Sequence, residues 1–303
     1  MPKIFWAICI LVLAATWCAK SHALEMNVAI NQDEKLAYVN LWGEIVQGDD
    51  KKFRDLILPY LRDEYLIWQI NIFSVGGNVG AAMGLGDQIR ILQTRTVTAY
   101  NEMKIINNRK VATGRASCIF QVQSSRWTMI KSVEGPRWCT CASACFLVWA
   151  SGLTREGGRV GIHRLFWSGK EFGNLPVAEA RARYEVAQAE YTEYLRTLDV
   201  PRIIIDRLFA TDSKSLYYLT WPEHELMQST PYLEEMTHSR CGPSKQEHMS
   251  KSNNWTMTED VQHITCYRGI LKEVMREGAK KYLTMFGAAP VVPAPSGAAN
   301  EKR

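Results

Sequence analysis

A serine set between two alanines and two cysteines, Cys141-Ala-Ser143-Ala-Cys145, is the pattern in this chain best suited to chemistry, and an apolar run to Ala150 follows it. Downstream, Gly161-Ile-His163 ends what reads as a strand. Upstream, Ser74-Val-Gly-Gly-Asn78 reads as a turn between a strand and a helix. A hydroxyl nucleophile, an imidazole base and a glycine turn offering backbone N–H groups are the minimum parts of a serine hydrolase. Ser143 is the nucleophile candidate, with small neighbours that leave room for a substrate carbonyl. If it opens a helix, the N–H of Ala144 can face a developing oxyanion with help from the helix dipole. The same pattern describes an ordinary helix-capping serine, and a lone histidine at a strand end is most often structural. The weight therefore comes from the pair. His224, His238, His248 and His263 lie in polar or late segments with no nucleophile candidate beside them. Gly76 and Gly77 free a backbone N–H to point outward, toward an oxyanion or a phosphate. Gly80, Gly84 and Gly86 fall inside the helical pattern that follows, so no dinucleotide-binding turn is present. Ser143 does not sit in a G-x-S-x-G elbow either.

The elements that must position these residues alternate. Strands are expected over Glu25–Ile30, Leu36–Leu41 and Tyr65–Ile72. Helices are expected over Lys51–Leu61, with Asp49 or Asp50 as the cap, and over Val79–Leu92. Strand, helix, strand, glycine turn, helix is the alternation of a parallel α/β core. Thr94–Tyr100 reads as a further strand. The segment 101–138 loses its period and reads as an insertion with one hairpin tied down by Cys118. A buried helix should begin at Ser143. Beyond His163 come a loop to Leu175, helices over Val177–Leu198 and Arg202–Phe209, and a short helix from Trp221. An irregular polar stretch, 229–254, precedes a final helix that Thr256-Met-Thr-Glu259 opens as a capping box. Together these give an α/β domain over 24–228, a C-terminal extension with a helix over 229–289, and a disordered tail over 290–303.

With 303 residues the chain is long enough to bury a sizeable core. Lys3, the apolar run Ile4–Trp17 and the small residues of Ser21-His-Ala23 make 1–23 a signal peptide, too short for comfortable membrane crossing. The chain is expected to be periplasmic or secreted, with an uncleaved N-terminal anchor as the alternative. Two of the eight cysteines, Cys9 and Cys18, fall in this leader. The others are Cys118, Cys139, Cys141, Cys145, Cys241 and Cys266, an even set that in an exported chain favours disulfides. Chain proximity suggests Cys118 with Cys139 or Cys141, and Cys241 with Cys266. A bond from Cys141 or Cys145 would brace the serine turn. Their spacing is poor for zinc, so no metal or cofactor is expected. The net charge of +5 is scattered and does not indicate nucleic-acid binding.

Three boxes carry a family resemblance. Ser74-Val-Gly-Gly-Asn-Val79 resembles the S-P-G-G-x-V turn of the caseinolytic (Clp) protease and signal-peptide-peptidase superfamily, with Val75 in place of the usual proline. Cys141-Ala-Ser-Ala-Cys145 resembles its nucleophile segment and Gly161-Ile-His163 its base segment, in the same order. The resemblance spans about Leu36 to Leu226 and is nearest to an exported Clp-protease-like branch of Gram-negative bacteria. It implies a ClpP/crotonase-like spiral of ββα units, Ser143 as nucleophile, His163 as base, and oxyanion N–H groups from Gly77 and Ala144. The family's third triad member is an aspartate ahead of a short helix; Asp212 stands nearest that position, farther from Thr220 than the family spacing, and Asp206 is the second choice. The implied function is a serine peptidase acting on peptides or unfolded chains, homo-oligomeric and without an ATPase partner. The competing readings are a catalytically inactive binding or assembly protein on the same fold and, less favoured, acyl-thioester chemistry.

Overall fold

In the computed structural model the described residues are 23–101, 103–106, 109–112, 118–123, 126–129, 139–166, 175–243 and 255–287. The expected leader and tail lie outside them, Ala23 excepted, as does most of the 165–175 loop. A five-stranded sheet forms the centre. Strand β1 (Glu25–Asn31) runs antiparallel to β2 (Leu36–Trp42), and β3 (Leu66–Phe73), β4 (Arg95–Thr98) and β11 (Arg155–Glu156) follow in parallel order. The long parallel strands read as continuous apolar runs because helices or loops cover both their faces. Ala37, Val39 and Leu41 point to one face, Leu36 and Tyr38 to the other. A bulge takes Trp68 out of step, since Ala37 pairs with Ile67 and Tyr38 with Gln69. Ile67, Ile70 and Ile72 thus all join the first face, while Trp68 joins the second.

Helices α1 (Asp49–Arg62), α2 (Val79–Leu92) and α3 (Cys145–Ala150) close the first face. Helix α1 is not capped by an aspartate side chain. Its N-cap is Gly48, whose φ of 92° suits glycine, and Asp49 is the first helical residue. The buried Asp49 carboxylate instead accepts the Val46 N–H at 2.6 Å and pairs with Lys52 at 2.9 Å. Among its described residues the 101–138 segment holds two antiparallel pairs where one hairpin is expected. These are β6 (Met103–Ile106) with β7 (Arg109–Ala112), and β8 (Cys118–Gln123) with β9 (Arg126–Met129). Short β5 (Tyr100–Asn101) extends the second pair.

Helices α4 (Val177–Thr197), α5 (Arg202–Ala210) and α6 (Trp221–Glu225) follow the site segment. Where an irregular stretch was expected, Pro231–Cys241 forms helix α7, with Thr230 accepting the Leu233 N–H and Pro231 in its first turn. The last helix, α8 (Met257–Phe286), opens on the expected capping box. Its Ile270, Leu271, Val274 and Met275 cover the second sheet face beside Leu36 and Trp68. Three disulfides join Cys118 to Cys139, Cys141 to Cys145 and Cys241 to Cys266. Of the two partners left open for Cys118, the structure takes Cys139.

Candidate active site

The site lies where a small second sheet meets the end of β3. Strands β10 (Thr140–Ala142) and β12 (Arg159–Ile162) run parallel, and β13 (Tyr217–Tyr218) pairs antiparallel with β12. Beyond the end of β3, Ser74 bridges to Cys141: its N–H donates to the Thr140 carbonyl at 3.1 Å, and its carbonyl accepts the Ala142 N–H at 3.0 Å. The glycine turn and the serine turn are thereby fixed side by side.

Ser143 does not start the helix. Helix α3 begins at Cys145 with Ala144 as its cap, leaving Ser143 on the bend between strand and helix. Its φ is 57°, in the left-handed region that an L-residue with a Cβ rarely adopts. The turn holds it there: the Ser143 N–H donates to the Gly161 carbonyl at 2.9 Å, and its own carbonyl accepts the Phe146 N–H at 2.9 Å. Cys141, Ala142, Ala144 and Cys145 are buried, whereas Ser143 is half-exposed. Although no elbow motif is present, the backbone is the strand–turn–helix bend that such motifs encode.

The glycine turn packs directly beneath. A Cβ on Gly76 would stand 2.6 Å from the Ser143 Cβ and 3.1 Å from the Ala144 nitrogen. Gly77, at φ 134°, passes so close to Ile45 that a Cβ there would meet the Ile45 carbonyl oxygen at 2.1 Å. Ser74 Oγ accepts the Gly76 N–H at 3.1 Å, and the Asn78 side chain caps α2 by accepting the Ala81 N–H at 2.8 Å. Ile45 donates to the Gly76 carbonyl and accepts from Asn78, bypassing the Gly77 N–H. Among the described residues, neither the Gly77 nor the Ala144 N–H donates to another backbone group.

His163 follows directly on β12, whose Gly161 faces Ala142 across the parallel pair. Its Nδ1 lies 2.7 Å from the Arg164 carbonyl oxygen. A carbonyl only accepts, so Nδ1 carries a proton, and Nε2 is the nitrogen left to act as an acceptor. No hydrogen bond joins His163 to Ser143 among the described residues. No hydrogen bond or ion pair joins Asp212 to the ring among the described residues either. Its carboxylate pairs with the Arg164 guanidinium at 2.6 Å and accepts the Lys214 N–H at 2.9 Å. That N–H, followed by the positive charges of Arg164 and Lys214, holds the Asp212 carboxyl below its usual range. Asp206 is exposed on α5 and pairs with Arg202 at 3.6 Å. The β12–β13 ladder pairs Gly161 with Tyr218 and Ile162 with Tyr217 and ends just before His163. The partner of His163 is a main-chain carbonyl, which no residue type announces, so the sequence held no signal for it.

Near the same sheet edge, buried Glu223 accepts the N–H and hydroxyl of Thr220, each at 2.8 Å, and the Tyr217 hydroxyl at 2.9 Å. Burial pushes its pKa up, but these bonds and Arg207 outweigh that and hold it below the usual 4.5. This is a helix-capping carboxylate. Among the described residues no cluster of histidine, cysteine or acidic side chains could hold a metal ion. No family model matches the chain, and no curated protein matches it. Among solved structures, a mutant of ClpP1 from Listeria monocytogenes is similar over 66% of this chain and 94% of its own, at 15% identity and a TM-score of 0.35.

Proposed function

We propose that this chain is an exported serine peptidase on a ClpP/crotonase-like fold, with Ser143 as nucleophile and His163 as general base. The observation that carries the reading is the left-handed Ser143 on a strand-to-helix bend. A non-glycine residue keeps that conformation only when its surroundings enforce it, and such residues concentrate at functional sites. In the proposed reaction Ser143 Oγ attacks a peptide carbonyl while His163 Nε2 takes its proton. The N–H groups of Gly77 and Ala144 hold the tetrahedral oxyanion, and His163 returns the proton to the leaving amine. Water then cleaves the acyl-enzyme by the reverse proton path. The Arg164 carbonyl, not Asp212, orients the imidazole.

Three disulfides support an oxidising compartment, the periplasm or beyond. Homo-oligomerisation and short or unfolded chains as substrates belong to the same proposal and rest on the family resemblance. A second reading, an inactive binding or assembly protein, draws support from the engagement of Asp212 by Arg164. Hydrolysis of short fluorogenic peptides separates the two. Turnover should fall by about a thousandfold or more in Ser143→Ala and in His163→Ala. Turnover that Ser143→Ala leaves intact, or its absence from the unaltered protein, counts for the second reading.

A further inference from the structure

We infer that the Cys141–Cys145 disulfide is a positioning device for Ser143, and that reactivity of the serine depends on this bond being formed. The inference rests on the hydrolase reading. Cys141 lies in β10 and Cys145 is the first residue of α3, so the bond closes the bend on which Ser143 stands. Both cysteines are fully buried and sit in the main core, against the sheet on one side and the helix on the other.

Loop length says what such a bond is for. A disulfide limits the unfolded chain more as the closed loop lengthens. Sequence separations of 21 and 25 make Cys118–Cys139 and Cys241–Cys266 the larger contributors to overall stability. A separation of only 4 makes Cys141–Cys145 the smallest. Its effect is local, and the local feature it encloses is the left-handed serine. The main-chain bonds from Ser143 to Gly161 and from Phe146 to Ser143 anchor the bend at two points. The disulfide ties strand to helix across it, which keeps the Ala144 N–H beside Gly76 and aims the hydroxyl. Reduction would leave the core in place and loosen the nucleophile.

The test is inactivation of the purified protein by a fluorophosphonate, in which Ser143 Oγ bonds to phosphorus, fluoride leaves and the hydroxyl proton passes to His163. The double variant Cys141→Ala/Cys145→Ala is compared with Cys118→Ala/Cys139→Ala, with thermal midpoints measured on each. The limiting inactivation rate constant should drop by about tenfold or more in the first variant, with its half-saturating concentration unchanged. The second variant should show the larger fall in midpoint and little change in rate constant. If the alanine variant does not fold, Cys141→Ser/Cys145→Ser carries the same comparison. An unchanged rate constant in the first variant, or an equal loss in the second, overturns the positioning role and leaves the hydrolase reading standing. An unaltered protein that never reacts overturns both.

Discussion

Ser143 and the two glycines beneath it show how much of this site is backbone. The left-handed conformation costs an L-residue roughly 1–2 kcal/mol, which glycine avoids. Ser143→Gly is therefore expected to lose the nucleophile without losing stability, whereas Ser143→Val should lose about 1–3 kcal/mol; urea midpoints compare them. Gly76 and Gly77 have no such latitude. A methyl group at Gly76 runs into Ser143, and one at Gly77 into the Ile45 carbonyl. Each Gly→Ala change should cost about 2–4 kcal/mol in the same experiment. Types and spacing made Ser143, His163 and the glycine turn legible as one constellation, and the structure brings their segments together through Ser74, Cys141 and Gly161. The partner of His163 was not legible, because it is a carbonyl. The family resemblance implies an acid in its place. Asp212 has a suitable carboxylate, but Arg164 occupies it.

Elements with a strong apolar period were readable to within a residue or two, and so was the helix Val177–Thr197, which buries only Tyr191 and Leu195 but is rich in helix-forming Ala, Glu and Arg. Helix α2 runs from Val79 to Leu92 as expected, because Ala82, Leu85, Ile89 and Leu92 mark one buried face. Helix α7 has a single buried residue, Leu233, so its sequence showed no face to read. The start of α3 was misplaced by two residues, since a serine before an apolar run looks like a cap whether or not the chain bends first. Helix α6 carries a pH dependence of its own. Burial against the Trp149 ring pushes the His224 pKa below its usual 6.5, with the Glu223 charge opposing. The unfolded chain then binds a proton that the folded one refuses, so stability is full above 6.5 and declines as pH falls toward the depressed value. Glu223, depressed from 4.5, adds a second loss below that pH. Urea midpoints measured from pH 7 to 4 should fall in this order, and His224→Gln should remove the first step while leaving the second.

At the scale of the whole molecule, buried Arg155 joins three segments that the sequence separates widely. It donates to the carbonyls of Gly152 at 3.1 Å, Met227 at 3.3 Å and Leu198 at 2.5 Å. Burial lowers its pKa to about 10, so it remains charged at neutral pH. Arg155→Met strands these carbonyls and should cost about 3 kcal/mol or more in urea denaturation. The Cys241–Cys266 bond similarly fastens α7 to α8, and its removal should cost about 2–4 kcal/mol. Chain proximity suggested this disulfide, whose cysteines are 25 residues apart, whereas Arg155 reaches carbonyls 43 and 72 residues away and nothing in the sequence suggested it. The scaffold holds a left-handed serine on a bend packed against the glycine turn, and the strand paired with that bend leads directly to His163. The most direct test is to treat the folded protein with a fluorophosphonate and map the adduct by mass spectrometry. A single phosphonylated residue, Ser143, lost on unfolding and in His163→Ala, is the predicted result. An unlabelled Ser143 in folded, disulfide-intact protein would contradict the claim that this bend is a nucleophile.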